Sequence, residues 1–205
     1  MIDKWILEKT KNPLVWIAKI LAQANISANS VTVAGFIIGV IGFLLIAFGL
    51  YLWGLVFILL NRLADGIDGT LARLTKQTHR GAFLDIALDF IFYSLIPLGF
   101  VFSNPEQNAL AGACVIFSFI GTGTSFLSFA VIAEKEKLKS LQFPQKSIYY
   151  LGGLTEAGET LGFFILSALF PSIFPILAYI FACLCLITTG MRLFYGWKTF
   201  TPPSP

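Results

Sequence analysis

Apolar runs of about 20 residues recur along almost the whole chain, and a run of that length is what a helix needs to cross a bilayer. Residues 31–50, 51–73, 82–103, 108–133, 148–170 and 173–195 form six such runs. A helix satisfies its backbone donors and acceptors within itself, so it is the natural form for each run in lipid. The composition agrees: the chain is 57% hydrophobic and 12% charged, against about 25% charged in ordinary globular domains. The expected fold is all-α, a polytopic bundle of six transmembrane helices forming one membrane domain over residues 1–205, with the bundle at 31–195. The net charge of +3 is too small and too dispersed to point to nucleic acid.

Residues 3–23 differ from the runs. They mix Trp5, Ile6, Leu7, Leu14, Val15, Trp16 and Ile17 with Lys4, Lys9, Lys11 and Lys19. The mixture reads as an amphipathic helix lying in the membrane interface, with tryptophans at headgroup depth. Pro13 is expected to break or kink it. The lysines interrupt any signal-peptide core, so a cleavable leader is not expected. Cys114, Cys183 and Cys185 all fall in apolar runs and read as small hydrophobes.

Cations give an orientation. Lysines precede the first run; Arg73, Lys76 and Arg80 lie between the second and third; Lys135, Lys137, Lys139 and Lys146 lie between the fourth and fifth; Arg192 and Lys198 close the chain. The other three connections contain no Lys or Arg. Basic connections stay on the cytoplasmic side, so both termini are expected there.

Four aspartates break the apolar pattern. Asp65 and Asp68 end the second run, and Asp85 and Asp89 open the third. A charged residue deep in a bilayer costs about 2.5–3.5 kcal/mol, which makes each a functional candidate. Spacings of three and four put each pair on one helix face. The two runs meet at one basic loop, so they are expected to be antiparallel neighbours with the pairs facing each other. Four converging carboxylates repel unless protons or cations sit among them, and all-oxygen donors suit hard divalent ions. Gly66, Gly69, Ala72 and Gly81 clear side chains from the same region, and Arg73 is placed to meet a phosphate. Carboxylates, metal, glycines and an arginine together describe a site for a diphosphate-bearing substrate.

These residues resemble the signature of the CDP-alcohol phosphotransferase family. The family pattern is Asp-x-x-Asp-Gly-x-x-Ala-Arg, seven or eight residues, then Gly-x-x-x-Asp-x-x-x-Asp. Here Asp65, Asp68, Gly69, Ala72, Arg73, Gly81, Asp85 and Asp89 fill every fixed position with a seven-residue spacer. Asn29 and Thr32 resemble the Asn-x-x-Thr that many members carry before the first span, although Ala28 stands where a proline often precedes it. The resemblance implies an integral enzyme of the cytoplasmic membrane of a bacterium or archaeon, a homodimer with its site facing the cytosol. Its donor would be a CDP-alcohol such as CDP-diacylglycerol, and its acceptor a small alcohol. Asp65, Asp68, Asp85 and Asp89 would hold two Mg2+ or Mn2+ ions. Gly69, Ala72, Gly81, Asn29 and Thr32 would shape the donor site with Asp65 and Arg73. Asp89 would act as general base. The shared motif also admits a CDP-choline or CDP-ethanolamine donor acting on a diglyceride.

The acceptor side is less determined. Glu156 and Glu159 are three apart near the start of the fifth run and, with Arg192, are candidates for acceptor recognition; the glutamates are equally candidates for structural pairing with Lys146, Arg62 or Arg192, and a proton path is a third reading. His79, the single histidine, reads as a solvated loop residue or a substrate contact. Gly121 and Gly123 in "GTGTSFLSF" read as close helix packing or as part of a polar acceptor wall. Two other classes use intramembrane carboxylates. A cation transporter would place them near the midplane in repeated halves. A prenyl-transferring enzyme would use other spacings and leave Gly-x-x-Ala-Arg unexplained.

Overall fold

The computed structural model describes residues 2–136 and 153–200, with side chains from residue 13 onward. The described residues are all-helical: α1 (Ile2–Gln23), α2 (Ala28–Ala47), α3 (Tyr51–Leu74), α4 (His79–Ser103), α5 (Pro105–Lys135), α6 (Ala157–Leu169), a 3-10 turn (Pro171–Ile173) and α7 (Phe174–Thr199). α2, α4, α5 and the stretch Pro171–Thr199 are long and apolar enough to cross a membrane. α3 is long enough but carries Arg62, Asp65, Asp68 and Arg73. α6 has only 13 residues.

Within the expected fifth span, 148–170, the described helix is the shorter α6, Ala157–Leu169. Residues 148–152 lie outside the described residues, and 153–156 are not helical. Glu156 is the N-cap of α6, not a position on its face. Gly153 and Thr155, just ahead of the capping glutamate, disfavour helix at these positions. α1 runs through Pro13 without a break, which a proline permits at the cost of one backbone hydrogen bond. Trp16 is two-thirds exposed and Ala18 fully buried, as an interfacial helix with one packed face requires.

Local chemistry sets the turns. α2 ends in a Schellman turn: Gly49 N donates to Ile46 O and Leu50 N to Leu45 O, each at 2.8 Å. Gly49 has φ +77°, a region that glycine enters without a Cβ clash. The tight turn makes α2 and α3 an antiparallel hairpin. Their backbones approach closely because Gly35, Gly39 and Gly42 line one face of α2. A Cβ on Gly35 would lie 2.8 Å from the Ala64 Cβ. Ser27 caps α2 through Ser30 N, and Thr78 caps α4 through Gly81 N.

α2 packs extensively against both α3 and α4, which do not pack extensively on each other. This corrects the expectation that they are direct neighbours. The small face of α2 draws both helices onto it, so their acidic faces meet across a cleft with α2 as its floor. Aromatic packing fixes the rest of the bundle. Phe100 of α4 stacks on Phe174 at 4.6 Å, and Phe163 of α6 stacks on Phe181 of α7 at 4.5 Å. Such pairs contribute about 0.5–1.5 kcal/mol each beyond the area they bury.

Candidate active site

The cleft is lined by Thr32, Gly35 and Phe36 of α2, by Asn61, Arg62, Asp65 and Asp68 of α3, and by Asp85, Leu88, Asp89 and Phe92 of α4. The space within this half-open cleft is about 20 Å3, room for one ion or water. All four motif aspartates therefore reach one pocket from two helices, as their spacing predicts. Within it they divide. Carboxylate oxygens of Asp65, Asp68 and Asp85 lie within 4.8 Å of one another. Asp89 is instead held by Arg62, whose Nη2 lies 2.6 Å from its Oδ1.

Three converging carboxylates with oxygen donors alone fit Mg2+ or Mn2+. The guanidinium of Arg62 reaches this group only at 3.9 Å, on Asp65. The trio thus gathers more negative charge than that arginine balances, an arrangement that a divalent ion resolves.

Arg62 itself was not singled out for this site by its sequence. Nε donates to Asn61 Oδ1 at 2.9 Å and Nη1 to the Tyr93 hydroxyl at 3.0 Å. The guanidinium also lies 4.5 Å from the centre of the Phe92 ring. Asn61 is anchored in turn, donating to Gly35 O at 2.8 Å. The available signal was an arginine inside an apolar run, three residues before Asp65 and so on its helix face.

The donor-side residues lie as follows. Gly69 has only Arg73 Nη1 near the position of an added Cβ, at 3.5 Å, which is ordinary contact. Arg73 is exposed and donates to Thr70 Oγ1 at 3.0 Å. Ala72 is partly buried beside Leu71. A Cβ on Gly81 would meet Asn29 Oδ1 at 2.8 Å, so this pair joins α2 to the start of α4. Thr32 lines the cleft, while its hydroxyl donates to Ala28 O. His79 is exposed at the first residue of α4.

None of Glu156, Glu159 and Arg192 lines the aspartate cleft. Glu156 and Glu159 form a reciprocal capping box at the start of α6, with Glu156 N donating to Glu159 Oε2 at 3.1 Å. The preceding turn is pinned to α7, since Leu154 N, Thr155 N and Thr155 Oγ1 all donate to Thr188 Oγ1. Arg192 is buried and donates to Thr122 O at 3.0 Å over the Phe126 ring. It lines a second, mostly apolar cavity of about 570 Å3 between α5 and α7, with Gly121 and Thr124. Gly121 packs against Thr189 and Gly123 against Phe90, as close helix packing requires. Cys114, Cys183 and Cys185 are free thiols; Cys185 is buried and Cys183 exposed.

Comparison with known proteins agrees with this geometry. The chain is 48% identical to the inner membrane protein YnjF of Escherichia coli (strain K12) over 199 residues, 97% of each chain. It is 33% identical to an uncharacterized protein of Aquifex aeolicus (strain VF5) over 157 residues, covering 74% of this chain and 71% of that one. Its fold matches a crystal structure of the Mycobacterium tuberculosis phosphatidylinositol phosphate synthase PgsA1 with CDP-DAG bound, at TM-score 0.74 and 20% identity over 94% of this chain and 98% of that one. It also matches the same synthase in complex with manganese and citrate, at TM-score 0.73 and 20% identity over 93% of each chain. The family model for CDP-alcohol phosphatidyltransferases matches residues 25–189, which contain every aspartate of the cleft, and the chain belongs to that family of membrane transferases of phospholipid synthesis.

Proposed function

We propose that the protein transfers a phosphatidyl group from CDP-diacylglycerol to the hydroxyl of a small alcohol, releasing CMP. The observation that carries this reading is the division of labour in the cleft. Three carboxylates converge, and the fourth, Asp89, stands beside them without joining them. The reading also draws on family membership and on the CDP-DAG bound to a synthase of the same fold.

In this scheme Asp65, Asp68 and Asp85 hold Mg2+ or Mn2+. The ion supplies neutralisation of the diphosphate charge. Gly69, where only the far end of Arg73 would touch an added Cβ, lets the nucleotide approach the α3 backbone, and Ala72 keeps the next turn small. Arg73 lies along the same face and binds phosphate. Asp89 accepts the proton of the acceptor hydroxyl. The acceptor oxygen then bonds to the lipid-side phosphorus as the bond from that phosphorus to the CMP oxygen breaks. Positioning and charge neutralisation supply most of the acceleration in such a transfer. The orientation that goes with it has six crossing helices, both termini in the cytoplasm and the cleft open to the cytosol. The assembly is a homodimer.

The test is CMP release by purified protein in detergent with Mg2+ or Mn2+ and CDP-diacylglycerol. The acceptor panel contains serine, glycerol, glycerol 3-phosphate, inositol, inositol phosphate, ethanolamine and choline. Release with one acceptor, lost on chelation, is the expected result. Folded protein that neither binds CDP-diacylglycerol nor releases CMP overturns the proposal.

A further inference from the structure

The two faces of α1 meet different surroundings. One packs chiefly on α3. Ala18 is fully buried there, and a Cβ added to Gly66 of α3 would lie 3.2 and 3.5 Å from the two terminal methyls of Leu14. Gly66 thus leaves a notch that Leu14 fills, one residue after Asp65 and two before Asp68. The Gly66 carbonyl accepts from Thr70 Oγ1 at 2.8 Å, so the notch belongs to an ordered turn of α3. On the other face Trp16, Lys19, Ile20 and Gln23 recur at helical spacing and are exposed. The helix carries Lys4, Lys9, Lys11 and Lys19 against Asp3 and Glu8, a surplus of two positive charges. A tryptophan, an isoleucine and a lysine on one open face of a basic helix complement an anionic headgroup layer, with the rings and chains at headgroup depth and the ammonium against lipid phosphate. A neutral surface would leave the surplus charge unmatched.

We propose that α1 docks on anionic lipid headgroups through its Trp16, Lys19 and Ile20 face, and that Leu14 seated on Gly66 carries this docking into the turn of α3 that bears Asp65 and Asp68. A surface that binds the docked helix better than the detached one shifts the balance toward docking by that difference in affinity. The docked helix is the state in which Leu14 fills the notch, so the α3 turn gains order from the same interaction. Lipid charge then acts on the aspartate turn without any lipid entering the cleft. Leu14 is a positioning residue in this arrangement, and the inference is independent of which reaction the cleft performs.

The experiment follows amide hydrogen exchange of the full-length protein in nanodiscs of phosphatidylcholine alone and of an equal mixture with phosphatidylglycerol. Residues 14–23 of α1 should exchange roughly 10- to 30-fold more slowly in the anionic discs, the size that a surplus of two charges supplies near such a surface. Residues 64–70 of α3 should slow severalfold with them. Changing the four lysines of α1 to glutamine, a comparable helix former, should remove both responses and leave exchange in neutral discs as in wild type. Leu14→Ala should keep the α1 response and lose that of α3. Combining it with Gly66→Leu, which moves the side chain to the facing helix, should restore the α3 response. Exchange in α1 that ignores lipid charge would overturn the inference and assign the open face to a neutral surface or a second copy of the chain. An α3 turn that does not follow α1, or still follows it in Leu14→Ala, would overturn the coupling. Should Leu14→Ala not fold, wild type and the lysine variant decide the matter alone. CMP release is not read, so failure here and failure of the transferase reading are distinct results.

Discussion

Arg62 and Asp89 form an ion pair across the cleft at 2.6 Å, one from α3 and the other from α4. The two helices do not pack extensively on each other here, so the pair bridges what α2 holds apart. Asp89 is thus fixed in direction before any substrate arrives. A general base in that position contributes about 10^2- to 10^4-fold to rate. Asp89→Asn should lower CMP release by that order while CDP-diacylglycerol binding, measured by quenching or calorimetry, stays near wild type. Retained turnover would remove Asp89 from the role of base.

The three-aspartate cluster makes a separate prediction. Asp68 is the most buried of the four, at 4% exposure, and faces Asp65 and Asp85. Asp68→Asn leaves the shape and removes the charge, so activity and metal dependence should fall together. Chelation should abolish CMP release in wild type, and Mn2+ or Mg2+ should restore it. An active Asp68→Asn protein indifferent to chelator would exclude the metal role.

Gly39 tests the support behind Arg62. A Cβ there would lie 2.6 Å from Phe92 Cδ2 and 3.0 Å from Asn61 Nδ2. Both residues hold the guanidinium, one by its ring and one by its amide oxygen. Gly39→Ala should therefore cost about 1–3 kcal/mol, as overpacking does, and lower kcat in the same variant. A thermal melt in detergent and a CMP assay check the two together. A normal melting point with normal kcat would mean that α2 and α4 part easily.

What was legible in the sequence divides along the same line. The aspartates announced themselves because charge in an apolar run is costly, and helical spacing fixed their faces. Their meeting in one pocket followed. The partner of Asp89 did not follow, because it depends on α2 wedging between α3 and α4, and that wedge comes from Gly35, Gly39 and Gly42, whose close approach no spacing rule connects to Arg62. The late start of α6 is similar. Glu156 and Glu159 at a spacing of three serve both a helix face and a capping box, and only the non-helical backbone of residues 153–156 decides between them.

That capping box has its own consequence. Removing an N-cap side chain costs about 0.5–2 kcal/mol, so Glu156→Ala should lower the melting temperature. Since the glutamates bond the backbone of α6 and line no part of the aspartate cleft, the acceptor KM should hardly move. An acceptor KM raised severalfold with an unchanged melt would instead establish the pair as acceptor ligands.

Gly69 separates folding from substrate binding most cleanly. The protein leaves room for a larger residue, because only the mobile end of Arg73 lies within 4 Å of an added Cβ. Alanine is also the better helix former by about 0.8–1.0 kcal/mol. Gly69→Ala should therefore be as stable as wild type or more so. If the nucleotide lies against the α3 backbone at this turn, the same methyl occupies its space, and Gly69→Leu occupies more. The donor KM should rise from wild type to alanine to leucine, while Mn2+ binding at Asp65, Asp68 and Asp85 persists in all three. A donor KM indifferent to the series would place the nucleotide elsewhere in the cleft and leave this glycine with no protein contact to explain it.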